Sequence, residues 1–129
     1  MRLNQLCIPL LLIAGMYVFP QLVHAEDQHE ATTAGKLGDM SAFKAIAVDT
    51  LKLVAAGDLA GAKTRIKDLE TDWDNAEEKL KPVNSAKWTS VDKSIDRALA
   101  NLRSGTPDAK ACTTSLETLI AKFDAVDKK

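Results

Sequence analysis

Two stretches of this chain carry apolar residues at alternating intervals of three and four positions, the spacing that lines one face of an α-helix. The first seam consists of Leu59, Ala62, Ile66, Leu69, Trp73, Ala76 and Leu80. The second consists of Trp88, Val91, Ile95, Ala98 and Leu102. Between them, Pro82 ends one helix and Asn84 is a typical N-cap for the next. The pattern predicts two amphipathic helices that fold back on each other, and no strand signal competes with it.

Signals on both sides of this hairpin predict two more helices. The first is expected over residues 40–56, with Asp39 as its N-cap and Gly57 as the residue that turns the chain toward the next helix. Asp58 follows directly and is expected to cap that next helix. The last is expected to start at residues 106–108, where threonine, proline and aspartate stand in the order of a helix start. Its seam again steps by three and four, and consists of Ala109, Cys112, Leu116, Leu119, Phe123 and Val126.

The two central helices are predicted over residues 59–80 and 85–104, so only a few residues join each helix to the next. Helices with such short connections alternate in direction. The sequence therefore predicts an all-α domain in residues 39–129, folded as an antiparallel up-and-down four-helix bundle.

The N-terminal part of the chain has a different composition. Arg2 precedes an apolar run at residues 6–19, and Ala25 follows valine and histidine at the usual cleavage positions. This order predicts a secretory signal peptide that is cut after Ala25. The run of about 14 residues is too short to span a bilayer, so we expect no stable membrane insertion after cleavage. Residues 26–38 are polar and lack a period, which predicts a flexible leader on a periplasmic protein.

Charge and cysteine content narrow the range of partners. The chain has 17 basic and 18 acidic residues, and cleavage would remove only Arg2 among them. A slightly acidic chain has no electrostatic reason to bind nucleic acid. Cys112 would be the one cysteine left after cleavage, so no intramolecular disulfide is expected. We expect a monomer or a weak dimer.

No catalytic or cofactor motif is found in the sequence. His29 would be the one histidine of the cleaved chain, and it lies in the predicted leader. A Ser-His-Asp or Cys-His set, a glycine-rich phosphate loop and the Glu-x-x-His pairs of di-iron bundles are all missing. Met40 has no second axial ligand with which to hold haem. We therefore expect no enzyme and no cofactor.

Three features remain as candidate sites. Trp73 and Trp88 lie in the helix seams, where core packing is favoured over a ligand pocket. If a pocket forms, we expect it near the turn at Pro82, with Asp92 beside it. Cys112 also lies in a seam, and a buried thiol is favoured over a redox handle. A solvated surface is favoured over a cation site for the acidic residues of the second helix, Glu70, Asp72, Asp74, Glu77 and Glu78.

Three segments resemble a family of small exported bacterial helical-bundle proteins. They are residues 55–82 (AAGDLAGAKTRIKDLETDWDNAEEKLKP), 85–103 (SAKWTSVDKSIDRALANLR) and 106–119 (TPDAKACTTSLETL). Members of that family often carry a histidine-kinase label, although this chain has no phosphoacceptor histidine in a predicted helix and no nucleotide-binding loop. A weaker resemblance is to periplasmic b-type cytochromes. The resemblance implies an exported bundle with no established activity.

Together these observations favour a non-enzymatic periplasmic bundle that binds a partner protein or a small ligand. Two alternatives stay open on the sequence. One is a signalling component associated with a histidine-kinase system, and the other is a periplasmic carrier of a metal or cofactor.

Overall fold

The computed structural model describes residues 36–127, and these residues form four α-helices and no strand. Helix α1 spans Ser41–Ala55, α2 spans Leu59–Leu80, α3 spans Ser85–Leu102 and α4 spans Ala109–Val126. The predicted all-α fold is thus confirmed. The predicted signal peptide and residues 26–35 of the predicted leader lie outside the described residues.

The four helices form a closed ring of neighbours. Helices α1 and α3 each pack against both α2 and α4. Residues that a helical hairpin brings together are in contact across α1 and α2: Phe43 lies against Trp73, and Arg65 forms an ion pair with Asp49. This arrangement is consistent with an up-and-down bundle, and the antiparallel order of the helices stays a prediction.

The seams predicted from the sequence form the core of the bundle. Their buried members are Ala62, Ile66, Leu69, Trp73, Leu80, Trp88, Val91, Ile95, Ala98, Leu102, Cys112, Leu116, Leu119, Phe123 and Val126. Ala109 is exposed because it stands at the first position of α4, beyond the level of the core. Apolar burial on this scale is the dominant favourable contribution to folding, so the shared seam is what holds the helices together.

Side-chain caps explain where α2 and α3 begin. The carboxylate of Asp58 accepts a hydrogen bond from the Gly61 N–H at 2.8 Å. The side-chain oxygen of Asn84 accepts one from the Lys87 N–H at 3.0 Å. Each bond satisfies one of the backbone donors that a helix start leaves free. Both caps had been predicted from the sequence.

Three predicted helix ends need correction. Helix α1 begins at Ser41, with Met40 rather than Asp39 in the cap position, although the Asp39 carboxylate still accepts a hydrogen bond from the Ser41 N–H. Asp108, not the threonine before it, caps α4 by accepting from the Lys110 N–H. Helix α3 ends at Leu102, before the predicted residue 104. A polar residue near a helix start can cap from more than one position, so spacing alone does not select it.

The chain just before α1 is packed on the bundle. Leu37 is only 3% exposed, and its N–H donates to the Val126 carbonyl at 2.8 Å. The Met40 N–H donates to the Asp127 carboxylate at 3.0 Å. The sequence assigned Leu37 and Gly38 to the flexible leader, because a lone leucine outside a periodic run carries no helix signal. The packed part of the chain therefore begins earlier than predicted.

None of the helices in residues 36–127 has both the length and the apolar character that crossing a membrane requires.

Candidate functional site

Each helix contributes one aromatic residue to a single cluster. Trp73 of α2 lies at its centre, with its ring edge-to-face against Phe43 of α1 at 5.2 Å between centroids. It also stacks on Trp88 of α3 at 5.6 Å and meets Phe123 of α4 at 5.9 Å. Aromatic pairs at these separations are attractive beyond the area they bury. The cluster thus joins all four helices at one level of the bundle.

The two indole rings are buried but their polar atoms are not satisfied. Trp73 is 1% exposed and Trp88 is 6% exposed. Neither indole N–H has a hydrogen-bond acceptor of normal geometry within residues 36–127. A buried donor without an acceptor costs free energy, and such groups are uncommon in folded proteins. The two rings pack in the core, as the sequence favoured, yet their N–H groups lack acceptors of normal geometry in the described residues.

Asp92 lies beside this cluster, one helical turn after Trp88. Its side chain is half-buried, and no ion pair reaches it from the described residues. Burial raises the pKa of this carboxyl above its ordinary value, and the neighbouring Asp96 raises it further. The indole N–H of Trp73 lowers the pKa of Asp92 without forming a hydrogen bond of normal geometry, so it offsets part of the rise. The structure therefore brings together all three residues of the predicted site.

Carboxylates of α2 add to the charge around Asp92. Asp74 and Glu77 both raise the pKa of Asp92 through like-charge repulsion. We call Asp74, Glu77, Asp92 and Asp96 together the acidic face. These carboxylates lie on separate helices, and nothing in their spacing along the sequence shows that α2 and α3 bring them close.

One cation of this region lies against the aromatic cluster. The ammonium of Lys81, in the α2–α3 turn, lies over the Trp88 ring at 4.8 Å from its centroid. The same Nζ is 2.7 Å from Oε1 of Glu77. An ammonium over an indole face is attracted by the negative face of the ring. This contact could not be predicted from the sequence, because Lys81 stands outside both seams.

The acidic residues of α2 do not converge on a metal site. Glu70 forms an ion pair with Arg103 at 2.6 Å, and this guanidinium lowers the pKa of the Glu70 carboxyl. Glu77 is paired with Lys81. Within residues 36–127 no group of three or more histidine, cysteine, aspartate or glutamate side chains has the spacing to hold a metal ion.

Cys112 lies in the core of the bundle and is fully buried as a free thiol. Burial raises the pKa of this thiol, and Asp108 raises it further. Both effects disfavour the reactive thiolate. The sequence favoured a buried thiol over a redox handle. The redox handle stays the untested alternative, and this environment does not favour it.

An open groove lies at the end of the bundle near the α2–α3 turn. It is lined by Leu37, Gly38, Asp39, Phe43, Ala76, Lys79, Leu80 and Val83. Val83 in the turn is 53% exposed. The two tryptophans were expected to line a pocket near Pro82, but Trp73 and Trp88 do not line this groove. Their rings stack on each other instead.

Comparisons with models of protein families, with curated proteins and with solved structures found no match for this chain. The resemblance to a family of small exported bundle proteins stays a prediction.

Proposed function

We propose that this protein is a non-enzymatic binding module that holds a partner protein or a small ligand at the acidic face, beside Trp73 and Trp88. The observation that carries the proposal is the unfavourable environment of the Asp92 carboxylate. Its carboxylate is half-buried, is repelled by the charges of three others and has no ion pair within the described residues. We place the module in the periplasm, on the strength of the predicted signal peptide.

Such an arrangement works against the stability of the bundle. A carboxylate loses hydration when it is buried, and like charges nearby raise its free energy further. A neutral side chain at the same position would avoid both costs. Groups held in an unfavourable charge state beside a cluster of aromatic side chains are typical of binding sites, where a ligand supplies the missing partner.

Photo-crosslinking in the native host tests this proposal. Glu78 is exposed and stands one turn after Asp74, at the edge of the acidic face, whereas Glu117 is exposed on α4. A photo-reactive amino acid at position 78 should give an adduct, seen as a gel shift or as a mass increase, and Asp92→Asn should reduce it. The same amino acid at position 117 should not give that adduct. Equal adducts from both positions, or none from position 78, would contradict the proposal.

Mass spectrometry of the periplasmic fraction tests the location. A mature chain that begins at Glu26 is expected. Recovery of the whole chain from the inner membrane would contradict export with cleavage.

A further inference from the structure

The turn between α2 and α3 holds a cation in a setting built from an aromatic ring and a carboxylate. Lys81 Nζ lies over the Trp88 ring and is paired with Glu77. The Lys81 side chain is still 45% exposed, so it can move away without unpacking the core. Trp88 is stacked on Trp73, so the position of its ring does not depend on Lys81 alone.

We propose that the Trp88 ring and the acidic face form a recognition site for an alkylammonium group, and that Lys81 is a built-in occupant which the ligand displaces. This inference deepens the proposed binding function and rests on it. The ligand chemistry is that of a primary ammonium on an alkyl chain, which occurs both in free polyamines and in the lysine side chains of a partner.

The charges of the site are suited to an organic cation. Lys81 is paired with Glu77 alone, which leaves Asp74, Asp92 and Asp96 without an ion pair in the described residues. These carboxylates come from two helices and do not converge as a metal ion requires. A small hard cation needs oxygens at short, fixed distances. An alkylammonium instead gains from spread negative charge and from an indole face.

The indole N–H groups show how poorly the Asp92 carboxylate is satisfied by the described residues. The indole N–H of Trp73 is almost fully buried, is directed at Asp92 and makes no hydrogen bond of normal geometry. The indole N–H of Trp88 also has no acceptor among the described residues. An ammonium has no acceptor for these donors. The group that it would satisfy is the Asp92 carboxylate, which has neither an ion pair nor a hydrogen bond of normal geometry in the described residues.

Competition with Lys81 gives the inference a measurable consequence. The site is open to a ligand only while Lys81 is away from it. The apparent affinity of the ligand is therefore its intrinsic affinity multiplied by the fraction of time that the site is open. Lys81→Gln removes the occupant and should strengthen binding of an external ammonium by about 3–10-fold. Lys79→Gln is the matched control, because Lys79 is exposed two residues earlier and has no ion pair in the described residues.

Calorimetric titration of the mature protein with n-butylammonium tests the proposal. We expect saturable binding with a Kd on the order of millimolar for a single ammonium. Lys81→Gln should lower this Kd, Lys79→Gln should leave it unchanged, and Asp92→Asn should raise it. Circular dichroism of each variant checks that the bundle is folded. Equal Kd values for Lys81→Gln and Lys79→Gln, or no saturable binding to any of the proteins, would overturn the proposal.

Two further titrations separate the sources of the ammonium group. Tighter binding of spermidine than of a lysine-rich peptide supports a free polyamine, and the reverse order supports lysine side chains of a partner. If no amine binds while the photo-crosslinked adduct at position 78 persists, the alkylammonium inference fails and the binding function stands.

Discussion

Asp92 illustrates how the surroundings of one side chain can oppose the stability of the fold. Burial is the largest cause of its raised pKa, and Asp96 is the next. The ionised form is therefore less favourable in the folded chain than in the unfolded chain. The carboxylate lowers the free energy of unfolding at neutral pH. This cost shrinks as the pH falls below the folded-state pKa and is gone below the unfolded-state pKa.

Replacement of Asp92 by asparagine should stabilise the protein at pH 7. The advantage of Asp92→Asn over the wild type should shrink as the pH is lowered toward the unfolded-state pKa of about 3.9. Urea unfolding of both proteins at pH 7 and pH 4 measures this difference in the free energy of unfolding. Asp72→Asn is the control, since Asp72 is exposed on α2 and has no ion pair in the described residues. A less stable Asp92→Asn at pH 7 would mean that the carboxylate serves Trp73 as a structural acceptor.

At the scale of the elements, the junction between α1 and α2 depends on a backbone conformation. Gly57 has a φ of 80°, in the left-handed region that residues with a Cβ seldom adopt. Its N–H donates to the Val54 carbonyl, and the Asp58 N–H donates to the Leu53 carbonyl. These bonds close the end of α1 in the manner of a glycine C-terminal motif, and Asp58 starts α2 at once.

Gly57→Ala should lower the free energy of unfolding by about 1–2 kcal/mol, because alanine pays the steric cost of the left-handed conformation. An added Cβ would meet nothing within 4 Å at this position, so the cost is one of backbone strain and not of a clash. Gly105→Ala is the matched control: its surroundings are equally open and its φ is not in that region. It should stay within about 0.5 kcal/mol. Equal urea midpoints for the two variants would contradict this explanation of the turn.

The sequence was most informative about these elements and least informative about their neighbours in space. Regular three-and-four spacing and the caps Asp58 and Asn84 predicted α2 and α3 well, because both signals are local. The packing of Leu37 could not be predicted, since it depends on the far end of the chain at Val126. The choice of Trp73 and Trp88 followed from their seam positions, and Asp92 was added as a polar residue near Trp88 on the same helix. The Lys81 ammonium over an indole ring depends on side-chain directions that spacing does not determine.

At the scale of the whole molecule, the aromatic cluster makes the four helices one cooperative unit. Phe123 is fully buried and meets both Phe43 and Trp73, so its ring links α4 to α1 and α2. Stacking then carries the link from Trp73 to Trp88 on α3. Loss of one ring leaves a cavity at the level where all four helices meet.

Phe123→Ala should lower the free energy of unfolding by about 3–5 kcal/mol, through lost burial and cavity formation. Glu117→Ala, exposed on the same helix, should change it by less than about 0.5 kcal/mol. For both variants, helical circular dichroism and tryptophan fluorescence should report the same urea midpoint if the bundle unfolds as one unit. Separate midpoints for the two signals would mean that the helices do not share one core.

The relation between Asp92 and Trp73 is the centre of this account, and the indole N–H signals in nuclear magnetic resonance measure it most directly. The structure predicts that the Trp73 signal shifts as the pH is lowered, with a midpoint above the ordinary aspartate pKa of about 3.9, and that Asp92→Asn abolishes the shift. A Trp73 signal that does not titrate, that titrates below this value, or that still titrates in Asp92→Asn would contradict the account.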